Sequence, residues 1–389
     1  MKIVIAPDSF KECMTAPEAA DAIARGFKEV FPDAEYHLLP MADGGEGTVD
    51  AMVKATNGHT LDLEVTGPLG QPLMASYGVL GDNSNTAVIE MASASGLHLV
   101  PADKRNPCLT STKGTGELIR HALDSGFRTI ILGLGGSATN DAGAGMLEAL
   151  GAKLLDTQGA PLPLDALALK RLHRIDLTGL HPALKETRIE VACDVDNPLL
   201  GQRGASQVFG PQKGATPQMV QVLDDALSHF VQVVSNQYPD KAGIESMSGA
   251  GAAGGMGYAL TALLGARLTP GIQLVSKAVQ LASRVEGADL VITAEGCIDN
   301  QTLSGKTPMG VLECANYHQV PCIALAGTLG PGADGIKSLG MQAIVPILPS
   351  LMSREEALRH GGENLYRTAV YVANLISLGI SFQKTGKSL

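Results

Sequence analysis

The sequence predicts an α/β protein of two domains: a Rossmann-like domain with a parallel sheet, assembled from both ends of the chain, and a mixed α/β domain inserted into it. Three observations carry this expectation. The chain has 389 residues, too many for one ordinary core. Its opening alternates strand-like and helix-like segments, the rhythm of a parallel sheet. Between Leu61 and Met91 that rhythm gives way to strands parted by the turn signals Gly67-Pro68 and Gly81-Asp-Asn, which reads as antiparallel hairpins.

Taken in order, Lys2–Ala6 is an apolar β run. Thr15-Ala-Pro-Glu18 has capping-box spacing with proline just inside a helix start, and Ile23, Phe27 and Val30 supply the apolar stripe of that helix. A second strand around Tyr36–Leu39 runs into Met41-Ala-Asp-Gly-Gly-Glu-Gly-Thr48 and a short helix. The parallel rhythm returns at Thr129–Leu132, then at Ala288–Thr293, Val320–Ala326 and Gln342–Leu348. The stretch from Gly151 to Pro270 is mixed, with a strand at Arg188–Cys193 and a helix at Gln218–Gln232. The expected division is 1–66, 107–150 and 278–389 for the Rossmann-like domain, with 67–106 and 151–277 for the second. No repeat or low-complexity tract interrupts it.

Composition narrows the function. Hydrophobic residues at 45% are enough for a sizeable interior. Aromatics at 4%, with no Trp, disfavour single-strand nucleic-acid binding, which leans on stacking rings. A net charge of −10 repels duplexes and anionic membranes alike, so an anionic substrate must be met by local cations or a metal. The N-terminal apolar run meets Pro7-Asp8 at once, too soon for a signal peptide, and no stretch approaches the ~20 apolar residues of a membrane span. Six scattered cysteines without C-x-x-C read as reduced thiols of a cytoplasmic protein. The histidines show no metal-ligand spacing and nominate no Ser–His–Asp set.

The carboxylates fall at the ends of strands. Asp8 follows the first, Asp43 and Glu46 the second, Asp141 the strand at 129–132, Asp194 the strand at 188–193, and Glu295 and Asp299 the run at 288–293. In open α/β sheets this is the edge where ligands bind. Most of these acids adjoin glycines, which let a backbone approach a phosphate and present its N–H groups. Carboxylates beside phosphate require a divalent cation in between, and Mg²⁺ bridges protein carboxylates to substrate phosphates in this way. Lys11 and Lys306 supply the complementary charge for a transferring phosphoryl group or a substrate carboxylate. Any single Asp after a strand also serves as a helix N-cap or turn former, so the inference rests on the set.

Three glycine motifs need weighing. Gly133-Leu-Gly135-Gly136-Ser137-Ala138 fits G-x-G-x-x-A with Asp156 about twenty residues on, so an NAD-dependent oxidoreductase acting on a small hydroxy acid is the rival reading. Against it, Ser137, Thr139, Asn140 and Asp141 are polar where that motif wants a dry helix start. Ser248-Gly-Ala-Gly-Ala-Ala-Gly-Gly-Met-Gly257 leads into a helix at Tyr258–Leu264; it suits either a phosphate or close helix packing. Gly305-Lys306-Thr307 resembles the end of a P-loop, but Asn300 stands where its first glycine belongs. A non-catalytic sugar-acid sensor is the third reading.

From end to end the chain resembles the type-1 glycerate kinase family. The resemblance lies in Ala6-Pro-Asp-Ser-Phe-Lys11, Met41–Thr48, Gly133–Asp141, Val191-Ala-Cys-Asp-Val-Asp-Asn-Pro-Leu199, Val208-Phe-Gly-Pro-Gln-Lys-Gly214, Gly251–Gly257 and Glu295–Thr302 with Gly305-Lys306, in that order. Three positions depart from the family's usual residues: Glu12-Cys-Met after Lys11, Ala142 where glycine is usual, and Ala294 where glycine is usual.

The resemblance implies two α/β domains around a cleft and ATP-dependent phosphorylation of D-glycerate to 2-phosphoglycerate, in glycerate, glyoxylate or sugar-acid breakdown. On that reading ATP phosphates lie on Gly135, Gly136, Ser137 and Ala138 and on Gly251, Gly254 and Gly255. Mg²⁺ is held among Asp43, Glu46 and Asp141. Asp8, Lys11 and Asp194 are the catalytic candidates, with Asp194 or Asp8 accepting the hydroxyl proton, and Ser9, Asn197 and Lys306 are expected to hold glycerate. The partners are thus small molecules, with a homo-oligomer left open.

Overall fold

The computed structural model describes residues 1–163 and 165–384. In chain order its strands are β1 (Lys2–Pro7), β2 (Glu35–Leu38), β3 (His59–Thr66), β4 (Pro72–Val79), β5 (Thr86–Glu90), β6 (Thr129–Gly133), β7 (Lys153–Leu155), β8 (Arg174–Asp176), β9 (Arg188–Ala192), β10 (Arg267–Thr269), β11 (Leu290–Ile298), β12 (Cys322–Leu329) and β13 (Ala343–Pro346). The chain divides into two units. The first comprises 1–43, 50–56 and 275–389, and the second 44–49 and 57–274.

The first unit holds a five-stranded sheet in the order β13-β12-β11-β1-β2, parallel throughout. Its central strands read as continuous apolar runs because helices cover a parallel sheet on both faces. Ile3, Ile5, Ile292 and Leu325 are buried in one core with Ile23 and Phe27 of helix Ala16–Lys28. That helix begins as its sequence predicts: the Thr15 side chain accepts from the Glu18 N–H while Glu18 reaches back to Thr15 N–H. It packs on the C-terminal helix Gly361–Lys384 at Gly26, where an added Cβ would stand 2.7 Å from Ala369 Cβ. Among the described residues that C-terminal helix alone is long and apolar enough, by length and composition, to cross a bilayer, and it buries Leu365, Ala369, Val372 and Ala373 in this core.

The second unit holds a six-stranded sheet, β10-β9-β6-β5-β4-β3. The β3–β4 and β4–β5 pairs are antiparallel, as the turn signals predict, while β5–β6, β6–β9 and β9–β10 are parallel. Strands β7 and β8 form a separate antiparallel ribbon. The core gathers Ile89, Leu132, Val191, Phe230 and Tyr258 with Leu118 and Ile119 of helix Lys113–Asp124.

The structure corrects the expected boundaries. Segments 57–66 and 107–150 belong to the second unit: β3 pairs along its whole length with β4, and β6 lies between β5 and β9. Residues 275–277 go with the first unit and 44–49 with the second. Periodicity shows that β6 lies in a parallel arrangement, but not which sheet supplies its neighbours.

Candidate active-site residues

In the first unit the site grows from the ends of β1 and β11. Asp8 directly follows β1, its N–H bonded to the Ala294 carbonyl at 2.8 Å. One carboxylate oxygen accepts the Ser9 N–H (2.6 Å) and the other the Thr307 hydroxyl (2.6 Å). Thr307 opens helix Thr307–Tyr317, with Lys306 as its N-cap residue and Pro308 in the first turn. Glu295 lies within β11 rather than beyond it, accepting the Thr302 hydroxyl at 3.0 Å and facing Lys306 Nζ at 3.4 Å. Asp299 closes the next turn by accepting the Gln301 N–H at 2.8 Å.

These acids perturb one another. Asp8 is only 9% exposed, and burial followed by the Asp43 charge pushes its carboxyl up from 3.8 to about 7, against the opposing bonds from Thr307 and Ser9. Burial also pushes Glu295 up, offset by Lys306 and Thr302, while Asp43 adds a further upward push. A carboxyl that titrates near neutrality in such a cluster is suited to accept a proton from a hydroxyl. Lys11 is exposed at the tip of a tight loop closed by mutual Phe10–Met14 backbone bonds of 2.9 Å, and Glu12 in that loop takes φ +64°. Gly296 borders the loop's backbone: a Cβ there would stand 3.8 Å from Lys11 N.

In the second unit two glycine motifs meet. An added Cβ on Gly133 would lie 2.7 Å from the Gly44 carbonyl, and one on Gly135 would lie 2.9 Å from Gly45 Cα. Only bare backbone allows that approach. Gly135 and Gly136 are exposed; behind them Ser137 and Ala138 are buried, with Ala138 N–H bonded to Ser95 O at 2.9 Å. Beneath this loop lies Lys213, which is 2% exposed and donates to Ser137 Oγ (2.8 Å) and Thr139 O (2.7 Å).

Other expected site residues have structural partners instead. Asp141 is 2% exposed and accepts four donors: the Thr112 N–H and hydroxyl and the Gly143 and Gly145 N–H groups. Three of these converge on Oδ2 and one, from Gly143, on Oδ1, so the carboxylate ties the loop to helix Lys113–Asp124 and keeps one lone pair, on Oδ1. That engagement and its burial weigh against the expected metal-ligand role. Gly251, Gly254 and Gly255 are buried and pack on protein: the Gly254 carbonyl accepts the Ala142 N–H at 3.0 Å, and a Cβ on Gly255 would stand 3.1 Å from Ala142 Cα. They buttress the loop that carries Ser137, the packing role that the motif also suits.

Asn197 donates to the Arg203 carbonyl at 2.8 Å, and its own carbonyl accepts the Gly251 N–H, so it holds a loop. Exposed Asp194 accepts the Gly271 N–H at 2.9 Å, a long-range bond to the first residue of helix Gly271–Ala278. Glu46 is exposed and Asp43 half-buried. Among the described residues no group of three His, Cys, Asp or Glu side chains is placed to hold a metal ion, so the expected trio is not a preassembled site.

Lys213 and Thr307 escaped the candidate site set read from the sequence. Lys213 stands in the Val208–Gly214 motif and Thr307 directly follows Lys306, but neither motif shows that its side chain turns inward.

Residues 3–377 match the family model of the glycerate kinase family. The chain belongs to the glycerate kinase family. It is 52% identical over 378 residues to "Glycerate kinase" of Bacillus subtilis (strain 168), covering 97% of this chain and 98% of that one. It is 49% identical over 380 residues to "Glycerate 2-kinase" of Escherichia coli (strain K12), covering 98% and 99%. A crystal structure from Salmonella typhimurium LT2, assigned to glycerate kinase 2, superposes with a TM-score of 0.89 at 49% identity, over 98% of this chain and 99% of that one.

Within the glycerate kinase family the oxidoreductase alternative finds no support. The geometry agrees: Asp156, the acid of the would-be dinucleotide fingerprint, is spent in a turn on the Gln158 and Ala160 N–H groups (2.8 and 2.9 Å). Helix Ala144–Ala149 begins well beyond Gly133-Leu-Gly, instead of directly on it.

Proposed function

We propose that the chain transfers the γ-phosphoryl group of ATP to a hydroxyl of D-glycerate, giving 2-phosphoglycerate and ADP. The observation that carries the chemistry is Asp8, a buried carboxyl poised near neutrality between Thr307 and two further acids. In its ionised form Asp8 accepts the proton of the attacking hydroxyl as the oxygen–phosphorus bond forms and the bond to the ADP oxygen breaks. Asp194 is the weaker choice of base because it is exposed, whereas Asp8 is buried in a cluster that raises its affinity for a proton. Lys11 and Lys306 neutralise charge on the transferring group and on the glycerate carboxylate, and Ser9, two positions before Lys11 in the chain, is the further residue to hold glycerate.

Exposed Gly135 and Gly136 offer backbone N–H groups to nucleotide phosphate, backed by Ser137 and Ala138. Mg²⁺ needs only one or two protein carboxylates when it travels with a nucleotide, and Asp43 and Glu46 are the residues to hold it. It would supply positive charge to the phosphate oxygens. The excess of acid over base around Asp8, where Asp43 and Glu295 both raise its affinity for a proton, fits a site completed by a cation. An ATP co-substrate and six free thiols favour a cytoplasmic setting.

A coupled assay for ADP release tests this reading. Release that depends on D-glycerate is expected. Release without glycerate, or glycerate binding without ADP, overturns it, and phosphorus NMR of the product decides between the two hydroxyls.

A further inference from the structure

We propose that Lys213 is a buried positioning cation that turns the Ser137 hydroxyl into a donor for a nucleotide phosphate on the Gly135–Ser137 loop. The inference deepens the ATP reading above and rests on it. A hydroxyl has one proton to donate and two lone pairs to accept with. Ser137 Oγ accepts from Lys213 Nζ at 2.8 Å, which leaves its own proton to donate, and the ammonium behind it strengthens that donation. The second Lys213 bond, to the Thr139 carbonyl at 2.7 Å, holds the far end of the same loop. Lys213 thus braces the loop from Ser137 to Thr139, directly after the exposed Gly135 and Gly136 in the chain.

Charge balance points the same way. A buried ammonium needs a counter-charge, and the two oxygens it touches are neutral. Asp141 is the acid that acts on it, but that carboxylate is bonded to Thr112, Gly143 and Gly145 rather than to the ammonium. The Arg105 carbonyl abuts the neighbouring Gly214, and the buried Arg105 Nε has no partner. Burial accordingly pulls Lys213 down from 10.5 to about 7. Two more buried polar atoms of this loop, Thr139 Oγ1 and Asn140 Oδ1, also lack a partner. An anion bound at the loop would supply the missing negative charge.

The test compares MgATP with adenosine, a phosphate-free probe, on the wild-type chain, Lys213→Met, Ser137→Ala and the double variant. MgATP affinity should fall about tenfold or more in each single variant, and little further in the double variant because the two residues act as one unit. Adenosine affinity should stay within about twofold. Unchanged MgATP affinity in Lys213→Met, or equal losses for both ligands, overturns the proposal. If Lys213→Met does not fold, calorimetry of the wild-type chain at pH 8 in buffers of different ionisation enthalpy replaces it. Binding of MgATP should then take up most of one proton as Lys213 recharges, and no uptake overturns the proposal. A wild-type chain that binds no MgATP would instead defeat the kinase reading.

Discussion

Thr307 donates its hydroxyl proton to Asp8 at 2.6 Å, joining residues 299 positions apart in sequence. The bond fastens the start of helix Thr307–Tyr317 to the end of β1, and it is one of two contacts that hold the Asp8 carboxyl down against burial and the Asp43 charge. Thr307→Val keeps the shape and removes the donor. Asp8 should then titrate above its present value of about 7, moving the acid limb of the pH–kcat/KM profile upward. Activity at pH 6.5 should fall several-fold more than activity at pH 8.5. An unmoved limb would remove Asp8 from the role of base.

The same carboxyl makes a stability forecast with a definite sign. Asp8 is raised from 3.8 to about 7, so between those values the folded chain holds a proton that the unfolded chain has released. Its contribution to stability is present in full below about 3.8 and is lost as pH rises through about 7. Asp8→Asn carries no such charge. It should therefore gain in thermal stability relative to the wild type as pH rises from 4.5 to 8, while losing activity. A stability difference that does not vary with pH would show that the carboxyl titrates normally.

Which parts of this were legible in the sequence follows from what each signal measures. The Thr15–Glu18 capping box, the apolar runs of β1, β11 and β12, and the hairpins of β3 to β5 are local patterns, and the structure matches them. The sheet that owns β6 is a matter of long-range pairing, so local pattern does not show that 107–150 belongs to the second unit. The acids sort by burial, which a sequence does not display. Asp8 and Glu295 share one cluster, Asp141 is engaged by four donors, and Asp194 bonds the first residue of a helix. Gly254 and Gly255 have the composition of a phosphate loop and the surroundings of a packing joint. A resemblance to a family does not distinguish an exposed glycine, such as Gly135, from a buried one, such as Gly254.

Asp141 and Asp43 can be separated by pairing stability with a metal titration. Asp141→Ala strips four donors of their acceptor in a buried place and should cost about 3 kcal/mol or more in urea unfolding. Its Mg²⁺ requirement should not change in the fraction that remains folded. Asp43→Asn should do the reverse, raising the Mg²⁺ concentration for half-maximal rate with a stability change under about 1 kcal/mol. A higher Mg²⁺ requirement in Asp141→Ala would restore Asp141 as a ligand.

Lys11 is exposed, so its removal tests chemistry without disturbing a core. Lys11→Met should lower kcat by about a hundredfold or more, as expected when a charge on the transferring group is lost, and leave the unfolding midpoint within error. Near-normal turnover would place the required cation elsewhere, with Lys306 the next to test.

Two of the three departures from the family's usual residues coincide with left-handed backbone: Glu12 at φ +64° and Ala142 at φ +50°. Ala294, by contrast, lies within β11. A Cβ in the left-handed region costs about 1–2 kcal/mol, which glycine escapes. Ala142→Gly relieves that strain and gives back about 0.4–1 kcal/mol through the greater freedom of the unfolded chain. The methyl it removes is fully buried, so a small void opens beside Gly255. Strain relief is the larger of these effects, and the variant should gain up to about 1 kcal/mol in urea unfolding. The Gly254 carbonyl that receives the Ala142 N–H stays in place, so the loop bearing Ser137 keeps its shape and the KM for ATP should hold within about twofold. A destabilised Ala142→Gly would mean that the methyl's packing against Gly255 outweighs the backbone strain.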